Sequence, residues 1–485
     1  MPIVSRPEHT SPEQYLVLVF QVLRLRVVTA ALRSVDVKFT DVDYKVYTDA
    51  AAHVLKGGSP YQRHTYRYSP LVAYLCLPNL LGCPFFGKLL FCCVDLAIAL
   101  LIEKGLWRIH EERQQGRQEK GGSTRGRRHS NDVSVAENMN SNISKSSSSS
   151  GEYPVHTFLL PWFCWLIHPV VATVSARGNA DAIPCLFVLL TVDAVRSQRL
   201  MLSAVLYCLA VHVKLYPVIY GVPILLYMQK GEIPVYLTSL PHRPKGFLRQ
   251  LFWGLVSAPV AALLLPFRAC CFLLRNMGRR QWAFGLLSVF SCFAIGSLFY
   301  HFYGFPFVFE SYLYHATRSD HRHNLSLFFY LLYLDSLAPL KTVTFVALNK
   351  VCTTQASCTA FTKLFRGEVL GFRPLYFLWW LCLLPFAVAA TDLKKKTITQ
   401  AFVAMAVFQL ACLLWLFFGY QLEFEGKPVF LELMFASAIF TLSQLGLVVF
   451  FVLKIRSNDA GEKAKSSCVD FAGAAEVAAL ERKQV

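Results

Sequence analysis

Hydrophobic positions along this chain come in long unbroken runs and not in alternation. FVAMAVFQLACLLWLFFGY, residues 402–420, is the plainest example. At 1.5 Å per residue such a run suits a membrane-crossing helix, whereas barrel strands would alternate over about ten residues. Comparable runs predict ten crossings: 15–33, a combined stretch 70–107, then 155–175, 182–197, 200–213, 216–228, 283–303, 376–390, 398–419 and 429–453. Two further apolar stretches, 251–274 and 325–348, read as interfacial or re-entrant segments. The first run lacks a basic leader and a small-residue cleavage site, so it is expected to stay as a signal anchor. The fold class that follows is an all-α polytopic membrane protein.

Composition supports this and excludes a soluble multidomain chain. Of 485 residues 55% are hydrophobic and only 16% charged, with a mean hydropathy of +0.42. The net charge of +18 is not a nucleic-acid signal, because the basic residues gather at segment ends, where they report topology. Lys104, Arg108, Arg113, Arg117, Lys120, Arg125, Arg127 and Arg128 precede NMNSNISKSSSSSG, a tract too polar to fold. The positive-inside rule puts 104–152 in the cytosol, and ten crossings put both termini there as well. Four regions are therefore expected: 1–103 with the first spans and an acidic loop, 104–152 as a cytosolic loop, 153–453 as the main bundle, and 454–485 as a cytosolic tail.

The polar stretches on the opposite, luminal face carry the candidate chemistry. KFTDVDYKVYTD places Asp41, Asp43 and Asp49 just after the first run. A carboxylate in hydrocarbon costs several kcal/mol, so this cluster either lies outside the bilayer or works in a polar cavity. The same loop continues to GGSPYQRHTYRYSP, where Gly57, Gly58, Pro60 and Pro70 bracket a turn and Arg67 stands between Tyr66 and Tyr68. That arginine fits a lipid phosphate, or a side chain that snorkels to the interface. SARGNAD supplies Arg177, Asn179 and Asp181; HVKLYP supplies His212, Lys214 and Tyr216; YHATRSDHRHN supplies His315, Arg318, Asp320, His321, Arg322, His323 and Asn324. A lysine at a membrane edge is costly, which points to function, with a structural ion pair as the bland competitor.

Carboxylates and several cations at one edge of a helical bundle suit a reaction whose leaving group is a lipid-linked phosphate. The cations stabilise the departing charge and a carboxylate takes a proton from the attacking hydroxyl. The same residues would equally serve a lipid or anion transporter or a scramblase, although no internal repeat is visible. No nucleotide-binding loop and no zinc-protease motif occurs, so a sugar donor would have to be lipid-linked. Ten of the fifteen cysteines, including Cys208 and Cys292, lie in apolar runs and read as small hydrophobes; only Cys352 and Cys358 share a polar stretch in which they could pair. No cysteine and histidine spacing of a zinc site appears, and no metal ligand is predicted.

Taken together, FTDVDYKVYTDAA, SPYQRHTYRYSPL, SARGNADAI, AVHVKLYPVIY, YHATRSDHRHNLS and NKVCTTQ resemble the catalytic subunits of GPI mannosyltransferase I, the PIG-M family, in order from about residue 35 to 453. The resemblance implies a GT-C-type bundle with a luminal site in the endoplasmic reticulum. It implies dolichyl phosphate mannose as donor, glucosaminyl-phosphatidylinositol as acceptor, an inverting transfer with an α-1,4 product, and a small accessory subunit. Asp41 and Asp43 take the place of the family's catalytic D-x-D pair, without a decision on which is the base. Asp49, Tyr66, Arg67, Arg177, Asn179, Asp181, His212, Lys214, Tyr216, His315, Arg318, Asp320, Arg322, His323, Asn324, Lys350 and Gln355 carry over as candidates for donor or acceptor contacts. Arg67, Arg177, Lys214, Arg318 and Arg322 are expected to serve the donor phosphate. A divalent metal is less needed than with nucleotide donors, because the leaving group is a monophosphate.

The chain departs from the family in its serine-rich insertion near 116–150, in a shortened region between LLYLDS and FVALNKVC, and in ASCTAFTKLFRGEVLGFRPL, which separates Gln355 from Tyr376. A mannosyltransferase with another acceptor is the nearest alternative. The topology makes a direct prediction. Of two glycosylation sequons, Asn142-Ile-Ser lies on the cytosolic side and stays unmodified, and Asn324-Leu-Ser lies close to the luminal membrane surface. Glycan at Asn142, detected as an endoglycosidase-sensitive mobility shift, would invert the topology.

Overall fold

The computed structural model describes residues 40–126, 160–229, 270–314, 381–390 and 395–444, together with 249, 268, 446–447, 449–451 and 453–454. Every regular element among the described residues is helical. Helix α1, Val42–Leu55, starts at Asp41, which has the extended backbone of an N-cap, and Asp43 sits in its first turn, where the helix dipole favours an anion. Two Ser-Pro steps shape the following loop. Ser59 Oγ accepts from the Tyr61 amide at 3.3 Å ahead of a 3₁₀ turn, Pro60–Gln62, and Ser69 Oγ accepts from the Leu71 amide at 3.4 Å ahead of α2, Pro70–Leu75. A proline at the first helical position forfeits no helical hydrogen bond, so the stretch that reads as one turn is two capped short helices.

Helix α3, Phe86–Gly126, runs for 41 residues, about 60 Å, through the position near 104 where a cytosolic loop is expected to begin. Its second half is rich in Glu, Gln, Arg and Lys, which are good helix formers even where apolarity ends. The predicted crossing at 155–175 is not a single helix. A π turn, Trp162–Leu166, is followed by α4, Pro169–Arg177, and Pro169 forces the break because it has no amide hydrogen to offer the preceding turn. Helix α5, Ala182–Arg196, leaves α4 at a bend of 118°, and α6, Leu200–Val213, returns alongside it. A 3₁₀ turn at Tyr216–Tyr220 enters α7, Gly221–Tyr227.

Helix α8, Arg279–Tyr303, packs on α6 and is followed by α9, Phe305–Val308, and a π turn, Phe309–Leu313. The remaining elements are α10, Leu384–Ala390, packed on α3, then α11, Lys395–Glu423, and α12, Phe430–Phe451. Where hydropathy predicts ten crossings, three described helices are long and apolar enough to span a membrane: α8, Thr399–Glu423 within α11, and α12; the bent pair of α4 and α5 would make a fourth. The difference has a physical origin. Helices α5 and α6 have 15 and 14 residues, about 22 and 21 Å, against a hydrocarbon core of roughly 30 Å, and of the crossing expected at 376–390 only residues 381–390 are described. The expected anchor at 15–33, residues 251–267 and 269 of the stretch 251–274, the whole of 325–348 and the Cys352/Cys358 pair lie outside the described residues.

Phe290, Phe293 and Phe402, each more than 70% exposed, mark apolar outer faces on α8 and α11 of the kind lipid covers. The buried core runs between α1, α3, α4 and α5 and includes Tyr47, Ile98, Ile102, Trp165 and Leu189. Helix α5 fixes two opposite ends of this assembly. At its C-terminal end Lys104 and Arg108 of α3 both reach Asp193, the lysine at 3.1 Å, and Arg196 reaches Glu112 at 2.7 Å. Its N-terminal end is where the candidate site forms.

Candidate functional site

Asp41 and Asp43 flank the start of α1, and the SARGNAD loop lies against them. The Asp41 amide donates to the Arg177 carbonyl at 3.0 Å, which ties the two segments backbone to backbone. Close approach depends on two glycines. Gly178 has φ +92°, a left-handed conformation disfavoured with a side chain, and a Cβ there would stand 2.5 Å from Tyr44 Cδ2. Toward the hydroxyl end of the same ring, a Cβ at Gly87 would stand 2.9 Å from Tyr44 Cε2. The ring is thus held between α3 and the loop, and its hydroxyl donates to the Pro84 carbonyl at 2.8 Å.

Asn179 is the hub. It is fully buried, and its Oδ1 accepts from the Asp181 amide at 3.1 Å, which turns the amide nitrogen toward the carboxylates. Nδ2 then donates to Asp43 Oδ2 at 3.2 Å and to Asp41 Oδ2 at 3.4 Å. Asp181, at the N-cap of α5, accepts an ion pair from Lys214, which ends α6. The second Asp181 oxygen, Oδ2, is buried and accepts no hydrogen bond among the described residues. Tyr68 donates to Asp43, and Tyr47 hydrogen-bonds Tyr68 with the two rings edge to face at 4.9 Å.

These surroundings set the charge of Asp43. By accessible surface it is only partly buried, yet enough protein surrounds the carboxyl that burial pushes its pKa above the ordinary aspartate value, and neighbouring Asp41 adds to the rise. Lys214 and the Tyr68 hydrogen bond work the other way. Burial, followed by the Asp43 charge, likewise raises Tyr68, which stays a neutral donor. A carboxylate with raised affinity for protons beside a lysine is a suitable general base.

The structure brings together Asp41, Asp43, Arg177, Asn179, Asp181 and Lys214. Arg67 joins them across a narrow cavity of about 30 Å³ that Tyr68, His212, Lys214 and Tyr312 also line. Its guanidinium pairs with Glu310 and lies 4.0 Å from the centre of the Tyr314 ring. Three other candidates are placed elsewhere. Asp49 is exposed on the far side of α1 and pairs with Arg63 at 2.9 Å. Tyr66 is wholly buried, with its hydroxyl between the Ser69 carbonyl and the Ala73 amide, so it braces the start of α2. Tyr216 is buried with its hydroxyl 3.4 Å from Cys185 Sγ. For these three, packing and local pairing account for the side chain without a ligand. His212 is buried against Tyr312 and the Cys292 carbonyl. His315, Arg318, Asp320, His321, Arg322, His323, Asn324, Lys350 and Gln355 lie outside the described residues.

Sequence reasoning missed Lys88, Tyr68 as a partner of Asp43, and Glu310. Lys88, nearly buried at the start of α3, donates to Thr40 Oγ1 at 2.9 Å and lies within electrostatic reach of Asp41 and Arg177. The available signal was a lone lysine just inside an apolar run, in FGKLLFCC.

The chain is similar in sequence to known proteins. The family model described as Mannosyltransferase (PIG-M) matches residues 174–340 and 372–452. The chain is similar to "GPI alpha-1,4-mannosyltransferase I, catalytic subunit" of Danio rerio, 30% identical over 88% of this chain and 92% of the relative. It is also similar to "GPI mannosyltransferase 1" of Dictyostelium discoideum, 29% identical over 86% and 85%, and to the Saccharomyces cerevisiae protein of the same name, 29% identical over 87% and 89%.

The packing of Tyr44 yields a prediction. Gly178→Ala imposes both a disfavoured φ and a contact with the Tyr44 ring, and is expected to cost more than ~1 kcal/mol. Thermal unfolding of the purified variant in detergent should show a clear loss of stability against wild type. Equal midpoints would show that the loop tolerates a Cβ there.

Proposed function

The chain belongs to the PIG-M mannosyltransferase family, and from that membership we propose that it transfers the first α-1,4-linked mannose of a GPI anchor from dolichyl phosphate mannose to glucosaminyl-phosphatidylinositol. The observation that carries the residue assignment is the meeting of Asp41 and Asp43 with Lys214, Arg177 and Lys88 at the N-terminal end of α5. Asp43 acts as general base, because its surroundings raise its proton affinity while Tyr68 and Asn179 hold the carboxylate in place. It removes the proton from the acceptor hydroxyl as the oxygen attacks the anomeric carbon and the bond to the donor phosphate breaks, with inversion. Asp41 orients the shared Asn179 amide.

Lys214, Arg177, Lys88 and Arg67 stabilise the departing phosphate. Of these, Lys214 and Arg67 already have carboxylate partners, so their phosphate contacts come by exchange or sharing. The site opens to the lumen of the endoplasmic reticulum. The Lys104, Arg108 and Arg196 cluster at the other end of α5 marks the cytosolic end by the positive-inside rule. Both termini lie on that cytosolic side, and a small accessory subunit completes the enzyme.

Purified protein given labelled dolichyl phosphate mannose should mannosylate glucosaminyl-phosphatidylinositol and leave other glycolipid acceptors unmodified. No product would favour a carrier, and product on another acceptor would reassign the substrate. Asp43→Ala should lower turnover by about 10²- to 10⁴-fold with membrane insertion intact; full activity would reject the assignment of the base. A further test uses pH. Lys214 favours the charged form of Asp43, so Lys214→Met raises the Asp43 pKa and moves the acid limb of kcat/KM to higher pH. An unmoved limb, or one moved to lower pH, would separate Lys214 from the base.

A further inference from the structure

Cys208 and His212 are one turn apart on α6, so their side chains share a face. Helix α8 packs on α6 and adds Cys292. One ligand atom from each residue, two sulfurs and an imidazole nitrogen, lie within 4.8 Å of one another, and the two thiols hydrogen-bond. His212 Nε2 is 3.1 Å from the Cys292 carbonyl, which can only accept, so this nitrogen carries the proton. Nδ1 therefore carries the lone pair and accepts from the Tyr312 hydroxyl, a hydrogen bond that a metal on Nδ1 would displace.

A ligating histidine is usually oriented in this way, with one ring N–H fixed on a carbonyl so that the other nitrogen can bind the metal. We propose that Cys208, His212 and Cys292 form a zinc site that clamps α6 to α8. Two thiols and an imidazole are a borderline-soft donor set suited to Zn²⁺. Charge supports the choice. Two thiolates and a neutral imidazole cancel the two positive charges of the ion, so the filled site is neutral and tolerable at a largely buried interface between apolar helices. Binding releases the two thiol protons to solvent. The Tyr312 hydroxyl or a water supplies the fourth position.

The clamp would act on the site by position. His212 stands two residues before Lys214, and Tyr312 shares its π turn with Glu310, the partner of Arg67. Pattern reading overlooks such a site because its third ligand comes from 80 residues beyond His212.

The test uses full-length protein in detergent, purified through a tag without histidine. Wild type should carry about one zinc per chain by mass spectrometry of the metal, and Cys208→Ser/Cys292→Ser should carry several-fold less. After chelation and loading with Co²⁺, wild type should show the charge-transfer absorption of thiolate bound to cobalt, weaker in Cys292→Ser. This spectrum decides the question even where the double variant fails to fold. Wild-type protein with no zinc and no such absorption would overturn the proposal. So would titration of denatured, unreduced protein in which Cys208 and Cys292 are linked as a disulfide.

Discussion

The side-chain amide of Asn179 is the constraint around which the site is arranged. Two carboxylates two residues apart repel each other, and nothing in α1 alone holds both on one target. Asn179, 136 residues beyond Asp43, supplies a donor that both can share, and its orientation is fixed by the Asp181 amide bonded to its oxygen. Because it is fully buried, its groups depend on these partners, and losing any one leaves a desolvated polar atom at a cost of about 1–3 kcal/mol. The loop that carries it can approach α1 only because position 178 is glycine. Local backbone geometry, packing of the Tyr44 ring and placement of the carboxylates are therefore a single arrangement.

Two helices give up a local preference at this place. Asp41 and Asp181 stand at the N-caps of α1 and α5, where an aspartate side chain ordinarily accepts from the first-turn amides and contributes about 1 kcal/mol. Neither makes that bond. Asp41 is turned to Asn179 and Asp181 to Lys214. Helix ends that forgo a favourable cap mark positions where local stability has yielded to tertiary arrangement, as is typical of functional sites. The positive ends of both helix dipoles also remain directed at the acidic cluster, which helps keep three carboxylates together.

Hydropathy showed the helical class and several element bounds, because runs such as 200–213 end where charge or a helix breaker enters. It did not express where helices break or run on: Pro169 interrupts the helix within one predicted span, and α3 continues past its apolar half because its polar residues are also good helix formers. Within the site, Asp43, Arg177, Asn179, Asp181 and Lys214 were legible as charged or amide groups in costly positions at helix ends. Tyr66 and Tyr216 sat in the same conspicuous motifs and are buried against protein partners, since an aromatic ring next to a motif is as useful to the core as to a ligand. Lys88 and Tyr68 gave almost no signal. Their importance arises from the fold of α3 and of the Ser-Pro loop against α1, which no spacing along the chain expresses.

Charge conservation explains why an acidic cluster suits a reaction that releases phosphate. In the proposed transfer the donor phosphate is a diester with one negative charge and departs as a monoester with the capacity for two. In the same step the acceptor proton moves to Asp43, which loses its charge. The total charge of the pocket is unchanged while one unit of negative charge passes from base to leaving group. Lys214, close enough to influence Asp43 and already paired with Asp181, is placed to follow that shift without entering or leaving the site. Raised proton affinity at Asp43 is then not merely a consequence of burial. It makes the base ready to accept a proton as the phosphate gains charge, so proton transfer and bond cleavage favour each other in one low-dielectric space.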